Sequence, residues 1–137
     1  MRSRFSYLAW LLVLFTGAGA AQLANPVAPT PDSLAAGKRA YDTYCAACHG
    51  ANGQGDGFNA AFLPKKPTAH ANAAEMSRRP DDTLYDAIHS GGSIVNKSHL
   101  MPQWGQSLSS KEIRDLVTHI RSLCQCEGPP WSRDNAK

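Results

Sequence analysis

Within five residues, Cys45-Ala46-Ala47-Cys48-His49, this chain sets two thiols and an imidazole, and that run constrains its fold more than any other feature. Cysteines three positions apart on a helical turn face the same way, and a histidine directly after them can swing beneath whatever they hold. Four chemistries use such a run: a redox dithiol, half of a zinc site, a plain disulfide beside an unrelated histidine, and thioether attachment of haem with the histidine reaching iron. A dithiol expects a βαβ setting, and zinc expects a second ligand pair at compatible spacing, for which Cys124-Gln125-Cys126 is an odd match. Covalent attachment of one haem c fits best, with Cys45 and Cys48 as the thioether sulfurs and His49 as the proximal axial ligand.

The remaining sequence reads as helices and loops around such a group. Asp32 or Ser33 can cap a first helix whose Leu34, Gly37, Ala40, Tyr41 and Tyr44 recur at three- and four-residue steps. Residues 50–57 are rich in glycine, and the stretch to Ala74 carries Pro64 and Pro67 with little apolar periodicity. A loop of this length is uncommon in a compact domain unless it serves a function, and a large flat cofactor would supply the apolar surface it lacks. Asp81 to Ser90 predicts a short helix with Leu84, Ile88 and Tyr85 inward, closed by Gly91 and Gly92. A second loop runs to Leu108, and Ser109 with Glu112 forms a capping box for a last helix with Ile113, Leu116, Val117, Ile120 and Leu123 on one face. Strand-like alternation and internal repeats are absent, so the expected fold is all-α, three to four helices with long loops wrapping one haem.

A chain of 137 residues has room for one core. Arg2 and Arg4, the apolar run Tyr7 to Phe15 and the small residues Gly17 to Ala21 read as a signal peptide over residues 1–20, which predicts a periplasmic or otherwise exported protein. The apolar stretch falls short of the roughly 20 residues a spanning helix needs, so no membrane span is expected after cleavage. An Ala/Pro-rich linker (residues 21–31), a haem-binding helical domain (32–126) and a polar tail (127–137) that packs little complete the predicted organisation. Without Arg2 and Arg4, the 14 Lys+Arg fall to 12 against 11 Asp+Glu, a balance near +1. Two haem propionates would lower it further, so nucleic acid is not an expected partner.

For the second axial position, Met101 in Leu100-Met101-Pro102-Gln103-Trp104 lies in a loop between two helices, where chain can approach iron. A thioether stabilises reduced iron and raises the potential, which suits an electron carrier. His99 is the alternative ligand, and Met76, His70 and His89 are more distant ones. Trp104 either covers the haem edge or bonds a propionate through its indole N–H, or is simply a large core residue.

The run Cys45 to His49 after a first helix, the Met101-Pro102 loop and the final amphipathic helix resemble the class I cytochrome c family, over roughly Leu34 to Leu123. In that family the first and last helices cross, packing a glycine and an aromatic of the first against an aromatic of the last. Gly37 and Tyr41 match that pattern, while His119 stands where the second aromatic is expected. The resemblance also implies that a proline carbonyl, Pro64 or Pro67, accepts a hydrogen bond from His49 and fixes its tautomer. Cys124 and Cys126 lie outside the pattern. In an oxidising compartment they favour a disulfide, either a strained ring with each other or a bond to another chain, with a redox or copper-binding role near His119 as the lesser reading. The implied function is one-electron transfer between redox proteins, without enzymatic activity. A small haem enzyme or gas sensor with a displaceable sixth ligand, and a cytochrome subunit of a larger redox complex, are the alternatives.

Overall fold

The computed structural model describes residues 29–133, whose regular elements are all helical, with no strand among them. Three longer helices, α1 (Pro31–Tyr44), α4 (Asp81–Ser90) and α5 (Ser110–Cys124), are those expected from the pattern. Three four-residue turns accompany them: α2 (Ala46–His49), α3 (Ala73–Met76) and α6 (Pro130–Arg133). The signal segment (1–20) and most of the linker lie outside the described residues, as do residues 134–137. Helix α1 starts earlier than expected, at what reads in the sequence as the end of the linker. Thr30 is its cap, accepting from the Ser33 amide at 3.1 Å, while Ser33 Oγ accepts from the Thr30 amide at 2.9 Å. Pro31 takes the first helical position, where its missing N–H costs nothing.

Helices α1 and α5 cross at Gly37. A Cβ there would lie 2.0 Å from the carbonyl oxygen of Asp115 and 2.8 Å from the Cβ of His119, so only a bare Cα permits the approach. One turn on, Tyr41 is fully buried and packs edge-on against His119, with ring centroids 5.2 Å apart. Burial and the Lys38 ammonium lower the proton affinity of His119, so its ring serves as a neutral stand-in for the missing aromatic.

Helix α5 is buried on more than its apolar face. Asp115, Thr118, His119 and Arg121 are enclosed together with Ile113, Leu116, Val117 and Ile120, whereas Leu123 is only partly covered. The reason is that α1, α3 and α4 all pack on α5, so a one-sided stripe undercounts its core. Arg121 organises this junction: its Nε donates to Asp81 Oδ1 at 2.6 Å, and its Nη atoms donate to the carbonyls of Met76 (2.8 Å) and Arg79. It thereby satisfies the Arg79 carbonyl, joins the Arg79 amide as a second donor to the Met76 carbonyl, and ties the end of α3 to the first turn of α4.

The end of α5 departs from a packing-free tail. Gln125 adopts the left-handed conformation (φ 48°), its amide donates to the Ser122 carbonyl, and the Cys126 amide donates to the Arg121 carbonyl. These two bonds form a Schellman turn. The turn brings the Cα atoms of Cys124 and Cys126 to 5.1 Å, within the ordinary disulfide range, and the two are bonded to each other. Gly128 and Pro129 are buried as the chain folds back over Arg121, whereas Glu127, Pro130 and Trp131 are exposed.

Gly37→Ala is expected to destabilise the protein by about 1–3 kcal/mol through overpacking at the crossing, despite alanine's higher helix propensity; a urea midpoint equal to the parent's would contradict this. Arg121→Met leaves Asp81 buried without its partner and is expected to cost about 3–5 kcal/mol. The double change Asp81→Leu with Arg121→Met should recover much of that loss in the same unfolding measurement.

Candidate haem site

Cys45 to His49 continues the axis of α1 almost without a break. The Cys45 amide donates to the Tyr41 carbonyl and the His49 amide to the Cys45 carbonyl, both at 2.9 Å, so both cysteines and the histidine share one helical turn. The glycine-rich loop then doubles back to satisfy that turn's open carbonyls: Asn59 N–H reaches Ala47 O at 2.9 Å, Gly57 N–H reaches Cys48 O at 3.2 Å and Gly55 N–H reaches His49 O at 2.7 Å. The loop is thus a long cap on the cysteine-bearing turn, which explains its glycine content better than flexibility does.

Cys45 is buried and Cys48 half-buried, and neither is in a disulfide. Burial, with the adjacent Cys48, pushes the Cys45 thiol up to about 12. A sulfur held neutral suits an uncharged thioether and not the depressed thiolate of a redox dithiol. No group of three His, Cys, Asp or Glu among the described residues could hold a metal ion, and Cys124 and Cys126 are tied to each other. The zinc reading therefore finds no second ligand pair among the described residues.

His49 Nδ1 donates to the carbonyl of Thr68 at 2.9 Å. Burial lowers the proton affinity of the ring and the Thr68 bond partly restores it, so the imidazole is neutral with Nε2 as its free basic nitrogen. The acceptor is therefore not a proline carbonyl, which corrects what the resemblance implied. The Pro67 carbonyl points instead at Gly55 (φ 72°), where a Cβ would lie 2.7 Å from it, and the next carbonyl in the chain turns toward His49. Pro67 still lines the cleft, whereas Pro64 is exposed and does not.

Cys45, Cys48 and His49 open onto a cleft whose walls include Leu63, Leu84, Ile88, Val95, Met101 and Trp104. Trp104 is half-buried and tilts against Tyr44 with centroids 5.0 Å apart. Of the alternatives to Met101, Met76 is fully buried in the core, while His89 and His99 are exposed and outside the cleft lining. His70 does line the cleft, but its ring lies flat on the face of His49, centroids 4.1 Å apart and planes 12° from parallel. It therefore shares His49's side of the cleft.

Thr68, His70 and Arg79 are not legible in the sequence as site residues with these roles. Thr68 acts through its backbone, so its side chain carries no signal; His70 sits in a loop without periodicity; Arg79 lies in the run Ser77-Arg78-Arg79-Pro80, which reads as surface.

The family model for cytochrome c matches residues 34–124. The chain belongs to the cytochrome c family. It is 27% identical over 109 residues to a nicotinate dehydrogenase subunit of Pseudomonas putida, an alignment covering 79% of this chain and 9% of that protein. A solved chain of the Kuenenia stuttgartiensis reducing HAO-like protein complex matches with a TM-score of 0.59 and 28% identity, over 74% of this chain and 48% of that one. This chain thus spans less than half the length of either relative.

Membership in the cytochrome c family implies covalently bound haem c, and the cleft fits that group on its own chemistry. It offers two unpaired sulfurs on one helical turn, a neutral imidazole with one free nitrogen, and apolar walls. The Nε of Arg79 is buried at the cleft with no hydrogen-bond partner, a donor suited to an anionic substituent such as a propionate.

Proposed function

We propose that this chain carries single electrons between redox proteins in an exported compartment, with one haem c joined to Cys45 and Cys48 and its iron held by His49 and Met101. Haem supplies the iron whose ferrous–ferric exchange moves the electron. The chain's own residues do the rest. Thr68 holds the Nδ1 proton of His49 and so directs Nε2 to the metal. Met101, the methionine on the cleft, contributes a thioether that favours reduced iron. The single observation carrying this reading is that Cys45, Cys48, His49 and Met101, 56 positions apart in sequence at the extremes, line one cleft. With iron held by both His49 and Met101, no coordination position would be open to a substrate.

The sequence of residues 1–20 supports export, and no helix among the described residues is long and apolar enough to cross a membrane. The charge around the cleft bears on the partner. Lys38 and Lys111 are engaged with Asp42 and Asp115, whereas Lys65, Lys66 and Lys97 line the cleft together with Arg79, itself paired with Glu75, and no carboxylate among the described residues lines it. A partner with an acidic face fits such a mouth. Both similar proteins are parts of larger redox assemblies by name, a dehydrogenase subunit and a complex, which favours service to a larger redox enzyme as the setting for this carrier.

Optical spectra of the protein made in a host able to attach haem test the assignment. His49→Ala is expected to lose the low-spin spectrum, and Met101→Ala to keep the attached haem, lose the weak far-red band of sulfur on ferric iron and lower the potential; retention of that band in Met101→Ala removes Met101 as ligand. Ready carbon monoxide binding by the parent would favour the enzyme or sensor alternative. Electron exchange with an acidic redox protein should slow as salt rises, and rates independent of ionic strength would remove the acidic-partner reading.

A further inference from the structure

We propose that His70 is a positioning residue for His49: it fixes the plane of the His49 imidazole, and through that plane the electronic state of whatever metal His49 holds. The inference rests on the assignment of His49 as an iron ligand and goes beyond it.

One hydrogen bond does not fix a ring. The bond from Nδ1 to the Thr68 carbonyl sets where that nitrogen points, yet the imidazole can still rock about the line of that bond. A second constraint has to act on the ring's face. His70 supplies it, with its own ring 4.1 Å from that of His49 and 12° from parallel. Neutral imidazoles can stack in this way, whereas two charged rings would repel.

His70 is itself held from behind. Its Nδ1 is 3.1 Å from the Tyr41 hydroxyl, and burial holds Tyr41 well above the usual phenol range, so the phenol stays protonated and hydrogen-bonds the ring. Tyr41 is fully buried and wedged edge-on between His70, at 5.7 Å, and His119, at 5.2 Å. The α1–α5 crossing that requires Gly37 therefore sets Tyr41, Tyr41 sets His70, and His70 sets His49. Outer partners of a metal-bound histidine commonly fix its orientation and basicity in this manner, although more often by a hydrogen bond than by a stacked ring.

Ring orientation governs how the imidazole π system overlaps the iron d orbitals, so it is read directly by the ferric g-values and by the pattern of haem-methyl proton shifts. An electron-rich neutral ring against His49 also favours the oxidised form, so losing it should raise the midpoint potential.

The test uses the haem-loaded protein with three variants. His70→Leu keeps apolar volume and removes the ring; His70→Phe keeps a flat ring and removes the Tyr41 bond; Tyr41→Phe keeps the packing and removes only the hydroxyl. Expected are altered g-values, a redistributed methyl-shift pattern and a raised potential in His70→Leu, with His70→Phe lying closer to the parent. Tyr41→Phe should shift the g-values and methyl pattern toward those of His70→Leu by less, and keeps the test decisive if His70→Leu does not accumulate. A general loss of stability would lower the urea midpoint without moving these signals. Unchanged g-values, methyl shifts and potential in His70→Leu, or in Tyr41→Phe where only that variant is obtained, overturn the proposal while leaving His49 as a ligand. A parent protein that acquires no haem overturns both readings.

Discussion

The close approach of two helices at Gly37 is the contact on which the rest of this structure depends. Because the α1 backbone touches the Asp115 carbonyl, Tyr41 on the next turn is driven fully into the interior, against His119 on one side and His70 on the other. The cysteine-bearing turn follows α1 directly, so its direction in space is inherited from the same crossing. The position of both sulfurs and the setting of the His49 ring thereby depend on one steric allowance, the absence of a single Cβ.

A second junction, polar in place of steric, holds the other wall. Arg121 gathers Asp81 and the carbonyls of Met76 and Arg79, so the short turn α3, the start of α4 and the end of α5 are tied into one unit. A buried ion pair alone is weak support for stability, since desolvation offsets most of its Coulomb attraction. Here the guanidinium also satisfies the Arg79 carbonyl, which strengthens the case for the arginine. The Schellman turn and the Cys124–Cys126 bond close over the same residue, with Cys126 Sγ 3.7 Å from an Arg121 nitrogen. The second cysteine pair is thus placed as a covalent clasp on the helix end nearest this junction.

Between these two junctions lies a cleft with apolar walls and a basic mouth. Its loops are long because they satisfy groups that regular structure would leave open: residues 50–59 cap the carbonyls of the cysteine-bearing turn, and the segment through Thr68 supplies the acceptor for His49.

The amino-acid sequence by itself determined the chemistry and the main helices. Cys45 to His49 speaks for haem through spacing alone, and the bounds of α4 and α5 follow from Pro80, Gly91 and the Ser109–Glu112 box, because caps and turn residues act locally. Gly37 and Tyr41 fall on the periodic stripe of the first helix, but their role at the crossing was legible only through resemblance. What tertiary structure alone decided are the partners: Thr68 for His49, His70 on its face, Arg79 at the cleft and Arg121 at the helix junction. Each of these acts across a long stretch of chain, by a backbone carbonyl, a stacked ring or a buried charge, and such contacts leave no periodicity or local preference to read. Burial of Asp115 and Arg121 was hidden for the same reason, since a one-dimensional pattern records one face of a helix and α5 is enclosed on several.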